Sequence, residues 1–128
     1  GNRPMPTELR KIIFSKRELV DAFSRRPAGN GAVPEGAVHG VHVFQKFGGG
    51  VKVLLDVMDD EEQRLKRFNL QPDFISEILL EYCAGHGIPV ARTADKYLEV
   101  IGDNLALSQK IRAQEEFAES APEPPLEE

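Results

Sequence analysis

From Phe74 to Cys83 the apolar side chains fall at Phe74, Ile75, Ile78, Leu79, Tyr82 and Cys83. Steps of three and four bring all six onto one side of a helix, an arrangement no strand reproduces. Pro72 suits the first helical position, where the N–H it lacks would have no partner. Gly85 or Gly87 supplies the stop. A helix with so complete an apolar stripe needs a broad apolar surface beneath it, and the flanking segments offer one.

Leu9–Phe14 is a short apolar run suited to a strand. It is followed by Ser15-Lys-Arg-Glu18, which has the form of a capping box. Leu19, Val20, Ala22 and Phe23 then recur at helical spacing, predicting a helix to about Arg26. Pro27 and the Gly29-Asn30-Gly31 cluster end it and open a loop through Gly36. Val38–Phe47 reads as a strand with Val41, Val43 and Phe47 on one face. Gly48-Gly49-Gly50 turns the chain, and Val51–Val57 returns. After the polar turn Asp59-Asp60-Glu61-Glu62, residues 64–70 read as a third strand, with an extension of helix from the acidic run as the alternative. Tyr97–Ile101 and Leu105–Ile111 flank Gly102-Asp103-Asn104, the pattern of a hairpin.

The resulting order is β-α-β-β-β-α-β-β. It predicts an α+β domain with two helices packed on a mainly antiparallel sheet of five or six strands. An offset of 56 aligns Ile12-Ile13-Phe14-Ser15, Leu19 and Phe23 with Phe68-Asn69-Leu70-Gln71, Ile75 and Leu79. Two βαββ halves would produce that echo, and so would any two strand-to-helix junctions. Residues 9–112 are expected to form one domain after a flexible N-terminal stretch, 1–8.

The net charge of −5 is unevenly placed. Residues 113–128 hold six glutamates and no base, leaving fifteen acids against sixteen bases in the rest. Glutamate, proline and small residues cannot bury enough surface to offset the entropy of ordering, so this acidic tail is expected to be disordered. A single cysteine, Cys83, forbids an internal disulfide and favours a reducing, cytoplasmic setting. No apolar run approaches the roughly 20 residues that cross a bilayer, and the first residues carry no signal-peptide core, so no membrane partner is expected.

No residue set in the sequence forms a catalytic constellation, a metal site or a cofactor motif. His39 and His42, three apart on a strand, face opposite sides unless a bulge at Gly40 intervenes. His86 suits a helix end, where an imidazolium complements the dipole. Cys83 lies on the helix stripe and reads as core. The run Asp59–Glu62 lacks the alternating ligands of a calcium loop, and the glycine clusters lack the partners of a phosphate loop. Two clusters invite a functional reading. Arg10, Lys11, Lys16, Arg17, Arg25 and Arg26 bias the first strand and helix towards the positive. Arg92, Asp95 and Lys96 occupy a loop between helix and hairpin.

Three classes of function follow. A non-catalytic protein-interaction or regulatory domain is expected first, with the acidic tail as its candidate contact for an unknown protein. A small-molecule site at Arg92, Asp95 and Lys96 is the second, and it would include an enzyme. The third is a nucleic-acid binder using the basic N-terminal third, disfavoured because the body is nearly neutral. Phe44 and Leu54 lie at opposite parity to Val41, Val43 and Val53, which makes both sheet faces partly apolar and predicts a homodimer.

Overall fold

The computed structural model describes residues 6–26 and 33–112. The expectations for the N-terminal stretch before residue 6, for the loop at 27–32 and for the acidic tail 113–128 fall outside these residues. The elements are β1 (Thr7–Phe14), α1 (Lys16–Ser24), β2 (Val38–Gln45), β3 (Val51–Asp59), β4 (Arg64–Asn69), α2 (Pro72–Gly85), β5 (Asp95–Ile101) and β6 (Asn104–Arg112). The fold is α+β in the expected order, and residues 64–69 are strand.

The strands divide between two three-stranded antiparallel sheets, β1-β6-β5 and β2-β3-β4, rather than sharing one. The reason is non-local. β1 pairs along its whole length with β6, from Thr7 opposite Arg112 to Phe14 opposite Leu105. β4 adds instead to the β2–β3 hairpin, with Leu55 opposite Phe68. Each hairpin is therefore completed by the first strand of the other half of the chain.

This interleaving matches the 56-residue echo residue by residue. Phe14 and Leu70, Leu19 and Ile75, Ala22 and Ile78, and Phe23 and Leu79 are all buried pairs at that offset. Leu9 and Leu65 are an exposed pair at the same offset. The topology has the two-fold form of two βαββ halves.

Ser15 caps α1 as the sequence predicts: Glu18 N–H donates to Ser15 Oγ (3.2 Å), and Ser15 N–H donates to Glu18 Oε1 (2.9 Å). α2 begins at Pro72 and ends in a Schellman pattern, with Ile88 N–H donating to Cys83 O at 2.8 Å. Both helices join the inward faces of both sheets in one core. Leu19, Phe23, Ile75 and Leu79 meet Val53, Leu55, Leu105 and Leu107 there, with the Phe14 ring edge-on to Tyr82 at 5.8 Å. Phe47 departs from expectation. β2 stops at Gln45, and Phe47 sits fully exposed in the following turn. No described helix is long and apolar enough to cross a membrane.

Candidate interaction surface

The core takes one face of each sheet, and the opposite faces look outward. On β1-β6-β5 the register sets the outward residues in rows: Leu9, Lys110 and Asp95; Lys11, Ser108 and Tyr97; Ile13, Ala106 and Glu99. Leu9, Ile13 and Tyr97 are 55%, 48% and 42% exposed, large apolar side chains gathered on one face. Between them Lys11 Nζ reaches Glu99 Oε2 at 2.7 Å, and Ser108 Oγ donates to the same carboxylate. The Lys11 bond holds the Glu99 carboxyl below its usual range, and the same bond raises the lysine. Across these three rows two bases stand with two acids, and the central pair is satisfied internally.

The outward face of β2-β3-β4 is built around Asp56. Arg67 grips it with two bonds, 2.7 and 3.0 Å, and His42 Nε2 lies 2.9 Å from Oδ2, so one carboxylate ties all three strands. Arg67 above all pulls the Asp56 carboxyl down to about 2. The exposed Phe44 and Leu65 lie towards opposite ends of this face, separated by the ionic group.

The residues singled out in the sequence do not converge. Asp95 points outward from β5, and Lys96, its neighbour, points inward and donates to the carbonyls of Arg92 and Ala94 at 3.2 Å. The loop is further held by buried Gln109, whose Oε1 accepts from Ala91 N–H at 2.9 Å. The basic six are also dispersed. Arg25 pairs with Asp21, Lys11 with Glu99, and Arg10 Nε with Glu8. Arg26 is spent on the carbonyls of Phe23, Pro34 and Gly36, and burial lowers its pKa. Lys16 and Arg17 are exposed in the first turn of α1.

A register shift between Val38 and Gly40 supplies the bulge that the histidine argument required. His42 turns to Asp56, while His39 remains exposed. Among the described residues no group of three or more His, Cys, Asp or Glu side chains is placed to hold a metal ion. Cys83 is buried, and burial raises its thiol pKa. Asp59 was expected in a solvated turn. It is 5% exposed instead, bonded to Lys66 at 3.0 Å and to the N–H groups of Glu61 and Glu62.

The concavities among the described residues include the following two. A cleft of about 150 Å³ between the helices is lined by Arg25, Glu81, Tyr82 and His86, with the His86 ring stacked on Tyr82 at 4.0 Å. His86 Nδ1 lies 2.8 Å from Tyr82 O, at the helix end where the sequence placed it. A hollow of about 470 Å³ is walled by Glu35, Asp59, Asp60 and Glu61. Neither is lined by Arg92, Asp95 or Lys96.

No protein-family model, curated protein or solved structure matches the chain. The surface chemistry is therefore the basis for function. Sequence reasoning missed the β1-β6-β5 face because its three apolar residues are 88 positions apart at their widest, and only the β1–β6 and β5–β6 registers together unite them. The available signal was the shared parity of Leu9, Lys11 and Ile13, which puts all three on one face of a strand.

Proposed function

We propose that this chain is a non-catalytic protein-interaction domain that self-associates through the outward face of β1-β6-β5. The observation that carries this reading is the grouping of exposed Leu9, Ile13 and Tyr97 around an internally paired Lys11–Glu99. A balanced face with its central charges already matched suits a second copy better than a highly charged partner. With a two-fold axis along β6, β5 of one protomer lies over β1 of its partner. Tyr97 then lies near Leu9 and Ile13 across the interface.

Three strands about 4.8 Å apart and eight residues at about 3.3 Å each give a face of roughly 380 Å² in projection. Two such faces fall below the range of stable complexes, so the dimer is weak and concentration-dependent. Sedimentation equilibrium over a wide concentration range tests this. Dimer should accumulate at high concentration and be abolished by Leu9→Asp with Ile13→Asp. A chain that stays monomeric throughout, or a variant that dimerises like the parent, refutes the reading.

The acidic tail remains the proposed contact for a different protein; its deletion should impair capture of that protein and leave unfolding unchanged. The small-molecule reading has less support, because Lys96 is engaged with its own loop. The nucleic-acid reading has less support as well, because Arg10, Lys11, Arg25 and Arg26 already have partners within the fold.

A further inference from the structure

The turn between β2 and β3 holds Phe47 away from the body of the protein. Lys46 N–H donates to Gly50 O at 3.0 Å, Gly49 N–H to Lys46 O at 3.1 Å, and Gln45 Nε2 to Gly50 O at 2.9 Å. Gly48, Gly49 and Gly50 take φ values of 91°, 113° and 85°, a region that side chains disfavour. A Cβ at Gly48 or Gly49 would meet nothing within 4 Å, so these two turn positions face open space. Phe47 is fully exposed at its end. Phe44, also exposed, stands on the strand directly opposite Lys52.

Within the hairpin segment that forms this tip the charge has one sign. Residues 36–55 contain no Asp or Glu, and Lys46 and Lys52 bracket Phe47. The acids of this sheet collect at its other end, in the turn after Asp59. The nine residues of β3 separate the two ends by roughly 26 Å, about three Debye lengths at physiological salt. Asp56 lies nearer but is neutralised by Arg67.

We propose that the β2–β3 tip anchors the protein to an anionic lipid surface. Phe47 and Phe44 enter the headgroup–acyl boundary, and Lys46 and Lys52 lie among the phosphates with their stems against the apolar layer. The shape favours lipid over peptide: a convex tip offers no groove to hold an extended chain, whereas a bilayer interface admits a projecting ring. This contact lies on the membrane and needs no spanning helix.

Co-sedimentation of the full chain with phosphatidylcholine vesicles, with and without phosphatidylglycerol, tests the assignment. The chain should pellet with the anionic vesicles and not with the neutral ones, and salt should weaken it. Phe47→Ser should weaken partition about tenfold, the equivalent of removing one partly buried aromatic ring. Lys46→Glu with Lys52→Glu should abolish it. Lys46, Phe47 and Lys52 are all exposed, so the variants should melt like the parent. The Leu9→Asp, Ile13→Asp variant should pellet normally, which separates this surface from the dimer face. Absence of pelleting with anionic vesicles overturns the lipid assignment and points to an apolar protein pocket as the partner of Phe47. Pelleting that ignores Phe47→Ser, or equal pelleting with neutral vesicles, overturns it as well.

Discussion

Asp56 joins β2, β3 and β4 through one carboxylate, and replacing it with asparagine removes the charge while keeping the shape. Arg67 above all holds this carboxyl at about 2, nearly two units below an ordinary aspartate. Linkage equates that depression with about 2.5 kcal/mol of stability. Arg67 is more than half exposed, so water screens the pair and about 1 kcal/mol is the expected remainder. For a domain of this size that is a fall of about 4 °C in Tm.

The sign follows from the direction of the shift. A carboxyl held lower in the folded state stabilises above its unfolded value, near 3.9, and the benefit drains away as pH falls towards 2. Urea unfolding of the parent and Asp56→Asn, followed by circular dichroism because tryptophan is absent, measures the difference directly. The gap should be constant from about pH 7 to about pH 5 and close below about pH 4. A gap that persists undiminished near about pH 2.5 would refute the electrostatic argument and assign the loss to packing. No gap at neutral pH would remove Asp56 as the tie between the strands.

Gly36→Ala should be severe, costing more than about 2 kcal/mol in chemical unfolding, because at φ 148° the added Cβ overlaps the Met58 carbonyl. Arg26→Lys should cost about 1–3 kcal/mol by the same assay, since a single ammonium cannot reproduce the guanidinium fork that spans the Phe23, Pro34 and Gly36 carbonyls. Cys83 should resist alkylation in the native protein near neutral pH and react at once in denaturant; rapid native labelling would contradict its burial.

Local chemistry explains which features were legible in the sequence. The α2 stripe, the Ser15–Glu18 box and the Gly102–Asp103 turn each depend on residues a few positions apart, and each forms as its pattern implies. The division into two sheets does not, because the choice of partner for β1 is settled by residues nearly a hundred positions away. Alternation extends the strand to Phe47 because it cannot tell where a glycine turn releases the chain. The acidic neighbours of Asp59 mark a polar turn and give no sign of its burial, which Lys66, across the hairpin, compensates. The hub at Asp56 had no local signature, since His42 and Arg67 approach it from two other strands.

The exchange of first strands between halves also orders events in time. β2, β3 and β4 are joined by short turns, so their sheet can close as soon as that stretch of chain is available. β1, made first, has no neighbour until β6 arrives. During vectorial synthesis Leu9 and Ile13 therefore wait beside an unpaired backbone edge for almost the whole body of the domain. The two halves have matching topology in the finished structure, but one sheet can close early and locally while the other cannot be sealed until β6 exists.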